Sequence, residues 1–160
     1  MTDYKLNVGT KAPLDLEVDV YPEAKFKLAD LSGQWVIVYF YPKDSTSGCT
    51  TESCEFRDAL PDFTGANAAI VGVSRDSMKS HANFTENQSL NFPLVSDGDE
   101  AFCQAFDVIQ EKVNYGKKYM GIERSTFIIN PEGVVVEAWR KVRVPEHVAT
   151  VLARLKELQA

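Results

Sequence analysis

The stretch of sequence that decides the fold is residues 35–49, which read WVIVYFYPKDSTSGC. Its first seven residues form a nearly continuous apolar run, rich in β-branched and aromatic side chains, which is typical of a strand covered on both faces. Pro42 ends this strand, a short polar loop follows, and Cys49 opens a helix. Because sites in open α/β sheets form beyond the carboxyl ends of the strands, we expect the chemistry of this protein in that loop.

The segments on either side alternate strand patterns with helix patterns. Strand patterns, the first two of which predict an N-terminal β-hairpin, occur at 14–20, 25–28, 68–74, 124–129 and 134–139. Helix patterns occur at about 48–63, with a kink before Pro61, at about 77–89 and 99–107, and from Pro145 onward. This order predicts the α/β class, as a thioredoxin-like three-layer α/β/α fold with an N-terminal β-hairpin, in one domain over residues 1–160.

The composition is that of an ordinary globular chain. The 160 residues are 44% apolar and 25% charged, with a formal net charge of −6, which excludes disordered, collagen-like and coiled-coil classes. The chain has no basic stripe for nucleic acid, no apolar run near the ~20 residues of a membrane span, and no signal-peptide pattern at its N-terminus. Its three cysteines are too few, and odd in number, for a secreted disulfide framework, so we expect a cytoplasmic protein with free thiols.

Cys49 and Cys54 lie on different sides of the predicted helix. A thiol at a helix N-terminus faces unpaired N–H groups and the positive end of the helix dipole, which favour the thiolate, so Cys49 is the candidate nucleophile. At 100° per residue Cys54 points about 140° away from Cys49, toward the polar side. A spacing of five residues separates their Cα atoms by about 8.6 Å on an intact helix, beyond the ~7 Å limit for a disulfide. A disulfide between them therefore requires the first turns of the helix to unwind.

Two motifs surround the candidate nucleophile. Pro42, Thr46 and Cys49 form the pattern Pro-x-x-x-Thr-x-x-Cys, and Glu-Arg-Ser-Thr-Phe places an arginine at position 124. With these motifs the sequence resembles the peroxiredoxins, and within them the bacterioferritin comigratory protein or peroxiredoxin Q group. Further segments typical of that group are Cys-Thr-x-Glu at 49–52, Phe-Arg-Asp at 56–58, Gly-Val-Ser at 72–74 and Phe-Pro-Leu-Val-Ser-Asp at 92–97. Ser47 replaces the group's usual proline, from which we expect a looser loop and no loss of function.

The resemblance implies a peroxidase that reduces hydrogen peroxide and organic hydroperoxides without a metal, haem or flavin. Cys49 would be the peroxidatic thiol that becomes sulfenic acid. Arg124 would stabilise the thiolate and the departing oxygen, while the Thr46 hydroxyl would accept from the peroxide or arginine and donate to the thiolate. Pro42 would pack over Cys49 and limit water, and the backbone amides of Gly48 and Cys49 would donate to the peroxide oxygens.

The resemblance also implies a second half-reaction at Cys54. Some members of the group carry a resolving cysteine five residues after the first, and others carry it on the next helix, where residues 83–85 of this chain offer none. Cys54 would then form an intramolecular disulfide with Cys49, and thioredoxin or a similar thiol donor would reduce it. The group further implies a monomer.

Three other functions stay open at this point. Cys54 could be a bystander in a one-cysteine peroxidase that an external thiol recycles. A general thiol–disulfide oxidoreductase would normally carry Cys-x-x-Cys, whereas this chain has four residues between its cysteines. A non-enzymatic binding module would not depend on Cys49 at all. We expect Cys103 to be structural, and His81 and His147 to be solvated helix residues.

Overall fold

A computed structural model describes residues 4–160, so the first three residues of the predicted domain lie outside the described part. Within that part the strands are β1 (Val18–Tyr21), β2 (Ala24–Phe26), β3 (Trp35–Phe40), β4 (Ala68–Ser74), β5 (Leu94–Ser96), β6 (Ile109–Asn114), β7 (Lys117–Ile122), β8 (Ser125–Ile129) and β9 (Val135–Arg140). The α-helices are α1 (Ser47–Gly65), α2 (Met78–Gln88), α3 (Ala101–Ala105) and α4 (His147–Gln159). None of the helices in residues 4–160 is both long and apolar enough to cross a membrane.

Seven of the strands form one mixed sheet in the order β2-β1-β5-β4-β3-β8-β9. β3 runs parallel to β4 on one side and antiparallel to β8 on the other. Its apolar run therefore occupies the interior of the sheet, as the sequence predicts, and β1 and β2 form the predicted N-terminal hairpin. With α-helices on both faces of this sheet, the predicted thioredoxin-like α/β/α architecture is confirmed.

Alternate side chains of β3 point into two separate cores. Val36, Val38 and Phe40 pack into a core that includes α3, whereas Ile37 and Tyr39 face the opposite side. That second core is filled by helix side chains, namely Phe56 and Phe63 of α1, Phe84 of α2, and Val148, Val151 and Leu155 of α4. Cys49 belongs to the same core, so packing against β3 fixes the orientation of the first turn of α1.

The helix bounds differ from the predicted ones for identifiable reasons. α1 extends one residue further at its start and two at its end than the predicted 48–63, and Pro61 lies inside it, as it does in the predicted helix. Proline has no N–H to donate to the carbonyl of Arg57 four residues earlier, and that carbonyl instead accepts from Asn91 Nδ2 at 3.2 Å. α4 begins at His147, because Pro145 lies in the preceding turn rather than in the helix.

Neither strand β5 nor the β6–β7 hairpin was predicted from the sequence. β5 has only three residues, and the separate β6–β7 hairpin consists largely of exposed polar side chains without clear alternation. Its tip is a two-residue turn at Tyr115 and Gly116, both of which have positive φ. Such a turn usually carries Asn-Gly or Asp-Gly. The Tyr-Gly pair found here does not indicate a hairpin, so the sequence did not predict one.

Candidate active site

Cys49 lies in the first turn of α1 with its side chain 1% exposed. Thr46 is the N-cap residue, and its carbonyl accepts the amide of Thr50 at 2.8 Å. The amides of Gly48 and Cys49 therefore belong to the first turn, where helix geometry provides no intrahelical acceptor and the helix dipole is positive. The structure thus places Cys49 beyond the carboxyl end of β3, where the sequence predicts a nucleophile.

Arg124 reaches Cys49 because of the register between two strands. Phe40, the last residue of β3, pairs with Ser125, the first residue of β8, so the residue before β8 arrives at the end of β3. Nη2 of Arg124 donates to Sγ of Cys49 at 3.3 Å. Sheet pairing therefore brings together two residues that are 75 positions apart in the sequence.

Glu52 is the third member of this cluster, and the sequence analysis did not assign it a role. Nη1 of Arg124 donates to Glu52 Oε1 at 2.6 Å. Residues three apart on a helix share a face, so Glu52 lies beside Cys49 and its side chain is fully buried. Burial raises the pKa of Glu52 to about 7, although the charge of Arg124 opposes that rise. Its second oxygen, Oε2, has no hydrogen-bond partner within residues 4–160.

The guanidinium of Arg124 is thus shared between the thiol of Cys49 and the carboxyl of Glu52. Burial works to lower the pKa of Arg124, but the negative charges of Glu52 and Cys49 outweigh it and the pKa is raised. The arginine is therefore fully charged, and one cation serves two acidic groups. The Cys-Thr-x-Glu motif was the sequence signal for Glu52, since it places an acid three residues after the nucleophile.

The buried carboxyl of Glu52 should make stability depend on pH. Because its folded pKa of about 7 exceeds the ordinary value of 4.5 for a glutamate, the folded state holds a proton between pH 4.5 and about pH 7 that the unfolded state has lost. We expect the free energy of unfolding of the wild type, relative to Glu52→Gln, to fall by about 3 kcal/mol as pH rises through that window.

Urea unfolding of both proteins at several pH values measures this difference. His147, whose pKa is lowered to about 4 by burial and by Arg124, titrates in both proteins and cancels in the comparison. Parallel stability curves for the wild type and Glu52→Gln would show that the carboxyl of Glu52 titrates normally.

Thr46 and Pro42 lie in the loop before Cys49, and the structure defines their roles in the site less fully than those of Cys49 and Arg124. The Thr46 side chain is exposed, and its hydroxyl donates to the carbonyl of Lys43 at 2.8 Å. The structure therefore differs from the expectation that this hydroxyl donates to the thiolate, and it leaves the oxygen lone pairs as acceptors. Pro42 is half-buried directly after β3, and its packing over Cys49 stays a prediction.

Gly48 lies close to the guanidinium of Arg124. A Cβ at this position would lie 3.3 Å from Nη2 of Arg124. This separation is tighter than ordinary van der Waals contact, so the guanidinium would have to shift by a few tenths of an ångström. The absence of a side chain at Gly48 therefore lets Arg124 take its place beside Cys49.

Cys54 is half-buried and contacts the last residue of α2. Its Sγ donates to Gln88 Oε1 at 3.4 Å, and Nη1 of Arg57 donates to the Gln88 carbonyl at 2.5 Å. All three cysteines of the chain are free thiols. Since Cys49 and Cys54 both lie within an unbroken α1, the need for unwinding before they pair stays a prediction.

The expectation for Cys103 agrees with the structure, whereas the expectation for the two histidines does not. Cys103 is fully buried, and burial together with Asp97 raises the pKa of its thiol, which agrees with a structural role. The expectation that the histidines are solvated is wrong, because His81 and His147 are 0% and 6% exposed. Nε2 of His147 lies 2.8 Å from Thr126 Oγ1. Buried imidazoles of this kind are tolerated where partners distant in sequence satisfy their nitrogens.

Comparisons with known proteins match nearly the whole chain. A family model described as the AhpC/TSA family matches residues 8–138. The chain is 56% identical over 156 residues to "Peroxiredoxin Bcp" of Xanthomonas campestris pv. campestris, covering 98% of this chain and 97% of that protein.

Solved structures agree with this match. A serine mutant of PrxQ from Xylella fastidiosa has a TM-score of 0.95 at 45% identity, covering 99% of this chain and 100% of the other. The bacterioferritin comigratory protein of Xanthomonas campestris, solved to study its alkyl peroxide reduction activity, has a TM-score of 0.91 at 53% identity. This second match covers 99% of this chain and 100% of that chain.

Proposed function

The chain belongs to the AhpC/TSA family, as a peroxiredoxin of the Bcp or peroxiredoxin Q type, and we propose on this premise that it reduces hydrogen peroxide and alkyl hydroperoxides at Cys49. One observation carries the proposal: the guanidinium of Arg124 donates to Sγ of Cys49 at a helix N-terminus. We further propose that residues 1–160 act as one peroxiredoxin domain.

In the first half-reaction the Cys49 thiolate attacks the terminal oxygen of the hydroperoxide. An S–O bond forms as the O–O bond breaks, so sulfur loses two electrons and becomes sulfenic acid. The departing alkoxide or hydroxide takes a proton from solvent and leaves as alcohol or water. Arg124 stabilises both the thiolate and the charge on the departing oxygen, and the amides of Gly48 and Cys49 donate to the peroxide.

Thr46 and Pro42 complete the proposed site. The Thr46 hydroxyl donates to the Lys43 carbonyl, so its lone pairs are the groups that would accept a hydrogen bond from the peroxide. That contact would keep the O–O bond in line with Cys49 Sγ. The ring of Pro42 would limit the access of water to the thiolate.

In the second half-reaction the thiol of Cys54 attacks the sulfenic sulfur of Cys49. The S–S bond forms, the S–O bond breaks, and the oxygen leaves as water with the thiol proton. The first turns of α1 unwind to bring the two sulfur atoms together. A dithiol donor such as thioredoxin then returns two electrons by exchange through a mixed disulfide.

We infer the cellular location, the oligomeric state and the reductant from the cysteine content and the family. Three cysteines are too few, and odd in number, for the disulfide framework of a secreted protein, and thioredoxin keeps thiols reduced in the cytoplasm. We therefore propose a cytoplasmic peroxidase that works as a monomer and uses thioredoxin or a similar thiol donor.

Intact mass after one equivalent of hydrogen peroxide tests the two cysteine roles. We expect the wild type to lose two hydrogens, because Cys54 converts the sulfenic acid to a disulfide. A Cys54→Ser variant should instead keep one added oxygen, because Cys49 still reacts but cannot be resolved. Cys103→Ser, at a buried site outside this cluster, is the matched control and should behave as the wild type does.

Other outcomes select among the open alternatives. A wild type that keeps added oxygen would identify a one-cysteine peroxidase recycled by an external thiol. A wild type that does not react would contradict the peroxidase proposal itself. Amide exchange of the oxidised protein checks the unwinding: undiminished protection over residues 48–56, together with the disulfide, would contradict it.

A further inference from the structure

The carboxylate of Asp44 is buried in the loop that leads from β3 to Cys49, at 4% exposure. Its Oδ1 accepts from the Tyr41 hydroxyl at 2.6 Å. Its Oδ2 accepts from the Ser80 hydroxyl at 2.8 Å and lies 2.7 Å from Nδ1 of His81. Ser80 and His81 belong to α2, so the loop before the nucleophile is attached to a neighbouring helix.

Both ring nitrogens of His81 have a partner in the fold. Nε2 of His81 lies 2.9 Å from the carbonyl oxygen of Val95, which can only accept, so Nε2 carries a proton. Nδ1 of His81, on the other side of the ring, faces Asp44 Oδ2. His81 and Asp44 thus form a fully buried polar contact that joins α2 to the loop.

A second contact holds the backbone of the same loop. The amide of Asp44 donates to Asp76 Oδ2 at 2.9 Å, and the Ser74 hydroxyl donates to that oxygen at 2.6 Å. Ser74 ends β4, so the loop is attached to the sheet as well as to α2. Asp44 is thus held by both its side chain and its backbone.

The residues after Asp44 need such support. Ser45 has a φ of +64°, which is unusual for a residue with a side chain and persists only where its surroundings enforce it. The N-cap residue Thr46 makes no side-chain bond to the helix amides, because its hydroxyl bonds to Lys43 instead. The first turn of α1, which contains Cys49, therefore depends on the loop for its starting geometry.

We propose that Asp44, held by His81, Ser80 and Tyr41, is a positioning residue that keeps the first turn of α1 wound for reaction with peroxide and thereby opposes the unwinding that lets Cys54 reach Cys49. This inference rests on the proposed function. We name the four side chains the Asp44 clamp. The clamp contacts belong to the wound state, so weakening them shifts the population toward the unwound state.

The clamp predicts opposite changes in two rate constants. In Asp44→Asn the reaction of Cys49 with peroxide should slow about tenfold, because the thiolate is no longer held in line with the peroxide bond. Disulfide formation should become several-fold faster, because the unwound state is more populated. Ser80→Ala removes one of the clamp bonds and should change both rates in the same directions by less.

Rapid quenching with alkylation, followed by intact mass, measures both steps in a single turnover. The matched control is Asp97→Asn, which alters another buried carboxylate that accepts the amides of Phe102 and Cys103 and does not contact the loop. We expect it to lower thermal stability without changing the ratio of the two rates.

These outcomes separate the clamp from the function on which it rests. If the wild type forms a disulfide but Asp44→Asn and Ser80→Ala slow both steps alike, or change neither, the clamp is only structural and the proposal is overturned. If the wild type forms no disulfide, the proposed function fails first and the clamp fails with it.

Discussion

A Cys49→Ser variant should reduce peroxide at a rate at least about 10⁴-fold below the wild type, because loss of the nucleophile removes the reaction rather than weakening it. The change replaces sulfur by oxygen in a buried position of the first turn of α1, so the fold should persist. A serine hydroxyl stays protonated even beside Arg124, whereas the thiolate is the form that attacks the O–O bond.

Peroxide consumption with thioredoxin or dithiothreitol as reductant measures this loss, and intact mass checks that no oxygen is added. Cys103→Ser is the control for the presence of any thiol, and it should keep full activity because Cys103 is buried in a different core from Cys49. If Cys49→Ser still consumed peroxide and gained oxygen at Cys54, the nucleophile would be Cys54 and not Cys49.

The sequence predicted those parts of the fold and the site that depend on neighbours in the chain. The apolar run of β3 and the loop after it located the nucleophile at a strand–helix junction. The period of α1 separated Cys49 from Cys54. These inferences need only local geometry, and the Pro-x-x-x-Thr-x-x-Cys motif with Arg124 added the family.

The features that sequence reasoning missed depend on partners distant in the chain. Glu52 has a role because the pairing of β3 with β8 delivers Arg124 to it, and no periodicity states where that guanidinium points. His81 was expected in solvent because a polar residue on a helix usually is. Its burial depends on Asp44 and the Val95 carbonyl, which come from a loop and a three-residue strand that the sequence analysis did not connect.

The second large effect should follow from Arg124→Met, which we expect to slow the reaction of Cys49 with peroxide by about 10²–10³-fold. The variant removes the donor to Sγ and, with it, the charge that faces the departing oxygen in the proposed site. It also leaves the buried carboxyl of Glu52 without its counter-charge, so that carboxyl should stay protonated and the fold should survive. Single-turnover oxidation at increasing peroxide concentration measures the change.

Comparison variants separate the charge of Arg124 from its geometry. Arg124→Lys keeps a cation but cannot donate to Cys49 and Glu52 with a planar fork, so it should recover only part of the rate. Gly48→Ala keeps the guanidinium and shifts it by a few tenths of an ångström, so it should cost less than Arg124→Met. Arg140→Lys, at an arginine that binds backbone carbonyls elsewhere, should leave the rate unchanged. If Arg124→Met reacted as fast as Gly48→Ala, the guanidinium would act only by filling space, and the electrostatic account of catalysis at Cys49 would be wrong.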